Sequence, residues 1–512
     1  MKIKSALISV SDKKELKDIL KILNRFKVKL VSSGGTYKEI RSLGYKSIKI
    51  SNYTNFPEIL DGRIKTLHPK IYSGILYRRK NNNHKKILKK LNFEGIDLVI
   101  TNFYPFKKTI FQTNKHEKII ENIDIGGPTL VRAAAKNYMD VTVITKTDQY
   151  KMLIKELNLH NGGTSLQFRK ELSKAAFFET ANYDSAIYNY FCSNTKEQPQ
   201  ENIFLNYKLV DKLRYGENPH QDGSIYSDDD NFGLIKLYGK NLSYNNYSDI
   251  FACLNLSKTL PKNRGVVIVK HANPCGVSIE SDHFKSYISA LNCDPISAFG
   301  GVISFNYKIS IKIAKQIIKN YFEVIIANGF DNNALKILKT KKKLRLIDSS
   351  KLVIKTNMKI ISGINSFLIQ TTDNLVFDKK NFKVVSKIKP SKKLMDQLIF
   401  SFNVCRSVKS NAIVISQNYK TLGIGSGQPS RLDSCSIAIN KMKKFKQFNN
   451  KDPLIAASDA FFPFVDGIEK LIQCGVKAVI QPFGSIRDNE IIKFANEMGI
   501  ILVFSKTRHF NH

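Results

Sequence analysis

Acidic residues and long apolar runs are both scarce in this chain of 512 residues. Asp and Glu number 43 against 81 Lys and Arg, which gives a formal net charge of +38. No apolar run reaches the roughly 18 residues that cross a bilayer, and the amino-terminal run ALISV is too short for the core of a secretory signal. Hydrophobic residues make up 42% of the chain, as in globular proteins. We therefore expect a soluble, cytoplasmic protein without a membrane partner.

Cysteine is also sparse, and the spacing of the cysteines matches neither a disulfide framework nor a zinc site. The seven cysteines are an odd number, and no two lie at a CxxC spacing. This pattern favours reduced thiols over a disulfide framework or a zinc site. Pro274-Cys275 matches half of a zinc-deaminase box, but Ser278 stands where the second cysteine is required. We therefore expect no metal.

The excess of basic residues would attract nucleic acid, acidic membranes or polyanionic metabolites. It runs through the whole chain, and the basic stretches KKILKK and KTKKK contain no aromatic residues on which bases could stack. Solvated surface lysine is the favoured interpretation, so we expect no nucleic-acid partner. A basic nucleic-acid-binding protein built on a nucleotide-binding scaffold remains the alternative.

Several catalytic signatures are missing as well. The chain has no GxxxxGK[ST], HExxH or GxSxG motif, and no GxGxxG between a strand and a helix. ATP-driven phosphoryl transfer, zinc proteolysis and nicotinamide chemistry therefore lose support.

Strand and helix signals alternate through the first 150 residues, which predicts an α/β fold with a mostly parallel sheet. Asp12 and Glu15 predict a capping box for a helix over residues 13–26. The polar, aperiodic segment 193–203 predicts a boundary between domains 1–195 and 203–512. The second domain is large enough for two subdomains, with a divide near 335–395.

Two segments of the first domain place polar groups where open α/β sheets bind ligands. The segment 32–36, SSGGT, follows a strand and opens a helix, so its amides could hold a phosphate, although a plain turn fits equally well. The segment 61–70, DGRIKTLHPK, would place Arg63 and Lys65 on one side if it is extended. Two adjacent cations suit an anionic ligand, whereas a solvated loop is the alternative.

A third segment, NIDIGGP (122–128), precedes a helix that carries Arg132 and Lys136 on one face, four residues apart. Pro128 is suited to the first helical position, and the glycines could open the helix to an anion. An ordinary capped helix with exposed bases is the alternative.

In the second domain, the apolar strand 266–269 ends at Lys270-His271. Pro274 cannot donate to a strand ladder, so we expect the chain to turn and both side chains to converge on a pocket. A lone histidine is more often structural than catalytic, but its place beside Lys270 and this turn makes the two roles equally plausible.

Taken in order, a set of segments from residue 9 to the last residue resembles one family closely. They are SVSDK, SSGGT, DGRIKTLHPKIYSGIL, NFYPF, ENIDIGGPTLVRAAAKN, LRYGENPHQ, LSYNN, IVKHANPCGV, DPISAFGG, VKSNAIV, GIGSGQPSR, ASDAFFPF, QPFGSIRD and RHFNH. The family is the bifunctional purine-biosynthesis enzyme that combines phosphoribosylaminoimidazolecarboxamide (AICAR) formyltransferase with IMP cyclohydrolase. The resemblance implies a methylglyoxal-synthase-like first domain and a second domain of cytidine-deaminase-like subdomains without zinc.

The resemblance also implies the chemistry. The second domain would transfer a formyl group from 10-formyltetrahydrofolate to AICAR, and the first would close the ring to IMP with loss of water. The formyltransferase site would be built across a homodimer interface, and no metal would be needed. A protein that has lost one activity and keeps that domain as a scaffold is a further alternative.

Residue roles follow from the same resemblance. His271 would be the base for formyl transfer, Lys270 would stabilise the oxyanion and Asn411 would be a neutral donor. The nucleotide would be held by Arg214, Tyr215, Asn246, Phe299, Glu323 and Arg508, and the folate by Arg431 and Asp459. Cyclisation would use Lys65, Tyr104, Asp124 and Lys136, with phosphate and ribose held by Ser11, Lys13, Ser33, Gly34, Gly35, Thr36, Arg63 and Thr66. Departures from the family pattern at Val465, Phe483 and Pro429 put folate affinity in doubt.

Overall fold

Two units, Met1–Asn206 and Tyr207–His512, build the chain in this computed structural model. The structure describes residues 1–193, 201–227, 232–353 and 358–512. Most of the predicted boundary segment, 193–203, lies outside the described residues. No helix in the described part of the chain has both the length and the apolar character needed to span a bilayer.

The first unit contains a five-stranded sheet in the order β3-β2-β1-β4-β5, and every strand pair in it is parallel. The prediction of a parallel α/β sheet is therefore confirmed. The strands are β1 (Ser5–Val10), β2 (Lys29–Ser32), β3 (Ile48–Lys49), β4 (Leu98–Asn102) and β5 (Thr142–Ile144). The central strands β1 and β4 are almost entirely buried, as parallel strands covered on both faces must be.

Ten helices lie in the described part of this unit. They are α1 (Leu16–Arg25), α2 (Gly34–Ser42), α3 (Ile50–Thr54), α4 (Pro69–Leu76), α5 (Asn82–Lys90), α6 (Phe106–Gln112), α7 (His116–Glu121), α8 (Gly126–Lys136), α9 (Gln149–Leu159) and α10 (Leu166–Ser193). Helix α1 shows why they pack on the sheet: Leu16, Ile19, Leu20 and Leu23 are buried at helical spacing, with polar residues between them.

Three predicted helix starts are wrong. Helix α1 begins at Leu16, because Asp12 accepts a hydrogen bond from the Lys14 amide (3.0 Å) in a preceding turn. Glu15 lies in the left-handed region (φ 56°) and forms no capping bond, so the capping box is absent. Helix α2 begins at Gly34, two residues before the start predicted at Thr36, and helix α8 begins at Gly126, two residues before the start predicted at Pro128.

The second unit is built on a twelve-stranded sheet that repeats one pattern of strand pairing. The run β10-β9-β11-β12-β13 has two antiparallel pairs followed by two parallel pairs, and β18-β17-β19-β20-β21 has the same sequence of pairs. Each run ends in one antiparallel edge strand, β8 or β16, and the runs join through β10 and β18. The unit thus consists of two similar halves.

The strands of this sheet are β8 (Ile235–Tyr238), β9 (Val266–Lys270), β10 (Asn273–Ser278), β11 (Gly301–Phe305), β12 (Phe322–Ala327), β13 (Arg345–Asp348), β16 (Phe382–Val384), β17 (Ile413–Gln417), β18 (Lys420–Gly425), β19 (Leu454–Ser458), β20 (Val476–Pro482) and β21 (Ile501–Ser505). Two separate hairpins are β6 (Lys208–Lys212) with β7 (Ser224–Ser227), and β14 (Met358–Gly363) with β15 (Ser366–Thr371).

Helices cover both faces of this sheet, and its apolar clusters lie between helices and strands. The helices are α11 (Tyr244–Ser257), α12 (His283–Cys293), α13 (Pro295–Ala298), α14 (Ile311–Ile317), α15 (Asn332–Leu338), α16 (Lys392–Cys405), α17 (Arg431–Phe445), α18 (Asp466–Gln473) and α19 (Asp488–Glu497). No disulfide joins the seven cysteines, all of which lie within the described residues, and five of them are buried.

Candidate functional site

The crevice between β1 and β4 is the natural ligand site of the first unit. The chain runs outward from β1 to β3 and then returns to β4 beside β1, so the strand order reverses there. Asn102, at the end of β4, fixes the loop after β1: its Oδ1 accepts from the Ser11 amide (2.6 Å) and the Asp12 amide (2.9 Å), and its Nδ2 donates to the Asp12 carbonyl (2.9 Å). Sequence reasoning missed Asn102, although NFYPF begins with it.

The glycine-rich turn after β2 lies next to this crevice. The Ser33 hydroxyl lies 2.7 Å from that of Ser9, and Thr36 Oγ1 bonds both the amide and the carbonyl of Val10. The buried Thr36 hydroxyl is therefore committed to the fold. A Cβ atom on Gly35 would lie 3.8 Å from Lys13 Nζ, so Lys13 borders the start of α2.

Lys65, Tyr104 and Asp124 meet at the same edge of the sheet. Lys65 Nζ lies 3.2 Å from Tyr104 Oη. The Asp124 carboxylate accepts from the Gly127 amide at 2.8 Å and from the Tyr104 amide at 3.4 Å. The Asp124 amide in turn donates to the Tyr183 hydroxyl (2.8 Å). An ammonium, a phenol and a carboxylate thus share one partly exposed cluster.

The glycines that open α8 are needed because neighbouring groups leave no space for a side chain. A Cβ atom on Gly126 would lie 2.7 Å from Thr66 Oγ1, and one on Gly127 would lie 2.5 Å from Asp124 Oδ2. Thr66, which is buried, is thereby held against the start of α8.

Burial raises the pKa of Asp124 above its ordinary value, against the opposing effect of the Gly127 and Tyr104 amides and the positive charge of Lys65. The folded state therefore disfavours the ionised carboxylate. Stability linked to Asp124 is fully present below the pKa of the unfolded chain and is lost as the pH rises through the higher pKa of the folded state.

We expect Asp124→Asn to stabilise the first unit increasingly as the pH rises from about 4 to neutrality, because the amide carries no charge to desolvate. Urea unfolding of both proteins across this range measures the difference. Asp148→Asn is the control, since Asp148 is exposed and makes no capping bond. A difference that stays constant with pH would contradict the assignment.

Two predicted residues of the first unit lie away from this cluster. The segment 61–70 is not extended: Leu60, Asp61 and Gly62 have φ values of 53°, 53° and 85°. Arg63 therefore diverges from Lys65 and forms a two-pronged ion pair with Glu121. Lys136 is exposed at the last residue of α8, about 15 Å along the helix from Gly126 at 1.5 Å per residue.

In the second unit, His271 lies in the tight turn between β9 and β10. His271 and Ala272 both have positive φ (50° and 56°), and Lys270 pairs with Asn273 across the turn. Asp249, on α11, accepts a hydrogen bond from the Ala272 amide (2.6 Å) and holds the turn. The turn precedes Pro274, which lies inside β10 at a register irregularity, so the expectation that Pro274 forces it is wrong.

One predicted nucleotide residue, Phe299, contacts Lys270, and two others, Asn246 and Glu323, contact each other. Lys270 Nζ donates to the Phe299 carbonyl (2.5 Å), and the exposed Phe299 ring lies 5.2 Å from the Tyr321 ring. On the adjoining strand and helix, Asn246 Nδ2 donates to Glu323 Oε2 (2.8 Å). Burial raises the pKa of Asp249, although the Ala272 amide and the charge of His271 oppose this, while the charge of Glu323 adds to it.

Asn411, Arg431 and Asp459 form a second polar cluster, and most of their polar atoms are already used. Asn411 Nδ2 donates to the carbonyls of Gln428 and Pro429, both at 2.9 Å, and its Oδ1 accepts from Arg431 (2.7 Å). Arg431 also pairs with Asp459, which is fully buried and accepts from the Ser410 hydroxyl (2.5 Å). Direct contact of Asp459 with a ligand would require these contacts to open.

The remaining predicted residues lie on the surface of the second unit. Arg214 and Arg508 are exposed, and their guanidinium groups lie over the rings of Tyr215 (5.6 Å) and Phe510 (4.7 Å). Phe483 is exposed, whereas Val465 packs partly buried beside α18. Within the described residues, no group of three or more His, Cys, Asp or Glu side chains could hold a metal ion.

The Lys270–Asn273 turn is connected to the Asn411 cluster. The Lys409 amide donates to Asn273 Oδ1 (3.0 Å), which ties the segment before Asn411 to the first residue of β10. This bond connects the turn that carries Lys270 and His271 with the segment that leads to Asn411.

Comparison with known proteins gives full-length matches. A family model described as the AICARFT/IMPCHase bienzyme matches residues 134–441, and an MGS-like domain model matches residues 15–129. The bifunctional purine biosynthesis protein PurH of Buchnera aphidicola is 46% identical, over 100% of this chain and 99% of that protein. PurH of Lactobacillus acidophilus is 42% identical, over 99% of this chain and 100% of that protein.

Among solved structures, one titled "Crystal structure of ForH" is 28% identical. It covers 37% of this chain and 99% of its own, with a TM-score of 0.34.

Proposed function

This chain belongs to the AICARFT/IMPCHase bienzyme family, and from that premise we propose that it catalyses the last two steps of IMP synthesis. The domain 203–512 transfers the formyl group of 10-formyltetrahydrofolate to AICAR, and the domain 1–195 closes formyl-AICAR to IMP. The cluster of Lys65, Tyr104 and Asp124 at the β1–β4 crevice carries the proposal, because it supplies cationic and proton-transfer groups at one ligand site.

Ring closure needs no second reactant besides the bound substrate. The carboxamide nitrogen attacks the formyl carbon and loses one proton, the formylamino nitrogen loses a second, and the former formyl oxygen takes up two protons and leaves as water. Holding nitrogen and carbon in near-attack geometry supplies much of the rate. The Lys65 ammonium stabilises negative charge on the oxygen, while Tyr104 and Asp124 relay protons. The raised pKa of Asp124 supports its role in proton transfer.

Formyl transfer needs a base, because the AICAR amine is conjugated with its ring and is a poor nucleophile. His271 takes the proton from the attacking amine, and Lys270 stabilises the oxyanion of the tetrahedral intermediate. The intermediate collapses when the bond from the formyl carbon to the folate nitrogen breaks, and that nitrogen takes up a proton as tetrahydrofolate leaves. The Asp249 contact to the Ala272 amide supports this assignment, since it fixes the turn that carries His271. Asn411 donates to the same intermediate once its present carbonyl contacts are exchanged.

Arg431 and Asp459 act on the folate side, chiefly by positioning. Their ion pair is buried, and it holds Asn411 through Arg431. Arg214, Tyr215, Asn246, Phe299, Glu323 and Arg508 hold the nucleotide, and the exposed guanidinium groups among them suit its phosphate. A metal ion is not required for either reaction.

The active form is a homodimer in the cytoplasm. Within the described residues, β14 and β15 pair only with each other, yet Ile364, Phe367 and Leu368 on this hairpin are exposed. An isolated hairpin is marginal in water, so a second copy of the chain is the proposed cover. Lys136 lies too far along α8 to reach the cyclisation site of its own chain. In a dimer, Lys136 of each copy would serve the cyclisation site of the other copy. Sedimentation equilibrium of the full chain tests this: a dimer supports it, and a monomer contradicts it.

Two absorbance assays test the proposed activities. The first supplies AICAR with 10-formyltetrahydrofolate, and the second supplies formyl-AICAR alone. Turnover in both supports the bifunctional enzyme. Turnover only in the second indicates that formyl transfer has been lost, and turnover in neither overturns the proposal.

A further inference from the structure

Glu58 points into the proposed phosphate site of the first unit. It lies in the segment 55–68 between α3 and α4, and its Oε2 is 3.5 Å from the position that a Cβ atom on Gly34 would occupy. Its Oε1 is buried and has no hydrogen-bond partner among the described residues. A buried carboxylate oxygen without a partner is unfavourable, so this placement needs a reason other than stability.

The same segment directs its arginine away from the site. Arg63 pairs with Glu121 at the end of α7, and both side chains are more than half exposed. Exposed ion pairs contribute little to stability and exchange readily. An anionic side chain thus borders the start of α2, while a cation expected to bind the substrate phosphate is paired elsewhere.

The backbone between Glu58 and Arg63 is strained. Leu60 and Asp61 both adopt left-handed φ values of 53°, which non-glycine residues disfavour, and the Leu60 side chain is 63% exposed. The backbone hydrogen bonds of residues 59–64 run within the turn itself, as in the Ile59–Ile64 pair, so a ligand that interacts with the segment can move the turn as a unit.

We propose that Glu58 is an internal competitor, which occupies the phosphate subsite of the cyclisation site until a phosphorylated ligand displaces it. A substrate phosphate displaces the Glu58 carboxylate from the start of α2, and Arg63 exchanges Glu121 for the phosphate. A phosphate can accept from the α2 amides, Lys13 and Arg63 together, whereas an uncharged nucleoside offers no anion to displace Glu58. This inference rests on the proposed cyclohydrolase function of the site.

Glu58→Gln tests the proposal, because the amide keeps the size of the side chain and removes its charge. The apparent affinity of a protein that is mostly self-occupied falls in proportion to its free fraction, so we expect KM for formyl-AICAR to decrease about 3- to 10-fold with little change in kcat. Glu121→Gln, which frees Arg63, should lower KM in the same direction. Glu117→Gln, on the same helix and exposed, is the matched control and should leave KM unchanged.

Binding of inorganic phosphate and of ribose 5-phosphate, measured by calorimetry, separates this inference from the proposed function. We expect Glu58→Gln to bind inorganic phosphate and ribose 5-phosphate more tightly than the wild type does. If this tighter binding is found but no cyclisation is detected, only the proposed activity is removed. Unchanged or weaker binding, with the wild type active, overturns the role of Glu58. If Glu58→Gln does not fold, Glu58→Asp, which withdraws the carboxylate by one methylene, decides the question by the same measurement.

Discussion

His271→Ala is expected to reduce formyl transfer by about 10²- to 10⁴-fold, the usual contribution of a general base. The variant removes the only imidazole at the β9–β10 turn and leaves Lys270 and the Phe299 contact in place. Cyclisation of formyl-AICAR should proceed at the wild-type rate, because that reaction uses groups of the other unit. The two absorbance assays on the purified variant measure both rates.

His512→Ala is the control for this change, since it removes an exposed imidazole of the same unit. Both reactions should be unaffected in the control. If His271→Ala instead keeps formyl transfer within a few fold of the wild type, another group is the base. A folded His271→Ala protein that has lost both reactions would contradict separate sites.

Lys65→Ala is expected to produce the opposite pattern, with cyclisation reduced by about 10²- to 10³-fold, as when one charge-stabilising donor is removed. Lys65 Nζ contacts Tyr104 Oη at 3.2 Å, so its loss removes a cation and also releases the phenol. Formyl transfer should continue, and formyl-AICAR should accumulate. Product analysis after incubation with AICAR and 10-formyltetrahydrofolate detects this accumulation.

Two further variants show whether the loss of cyclisation is specific to Lys65 and whether it depends on the positive charge. Lys46→Ala removes an exposed lysine of the same unit and should cyclise normally. Lys65→Arg keeps the charge and should retain more activity than Lys65→Ala. Equal loss in Lys65→Arg and Lys65→Ala would show that geometry matters more than charge, whereas normal cyclisation by Lys65→Ala would remove Lys65 from the mechanism.

The sequence predicts the architecture of the first unit well, because its strands and helices leave local periodic signals. The strands β2 and β4 end in the polar residues Ser32 and Asn102, Ser11 directly follows β1, and parallel pairing brings those ends to one edge. The grouping of Lys65, Tyr104 and Asp124, which are far apart in sequence, comes instead from the family resemblance.

The sequence does not predict contacts between segments that lie far apart in the chain. Nothing near Arg63 indicates its pairing with Glu121, and nothing near Asp459 indicates that Arg431 and Ser410 occupy its carboxylate. The helix starts were misplaced for a similar reason: the bond of Asp12 to the Lys14 amide is one of several that a short polar residue can make.

The turn at His271 shows the same limit on a smaller scale. Proline was the visible signal, but the left-handed conformations of His271 and Ala272 make the turn, and Asp249 from a distant helix holds it. Likewise, the repeated strand order of the second unit leaves no short-period repeat in the sequence, because it is a repeat of pairing and not of residues.

Mixing the two variants tests most directly whether the chain contains two independent sites. Neither His271→Ala nor Lys65→Ala alone should convert AICAR and 10-formyltetrahydrofolate to IMP at an appreciable rate. An equimolar mixture of the two should form IMP, because formyl-AICAR released by Lys65→Ala is closed by His271→Ala. If both proteins are folded and the mixture still forms no IMP, the assignment of the two reactions to separate sites is contradicted.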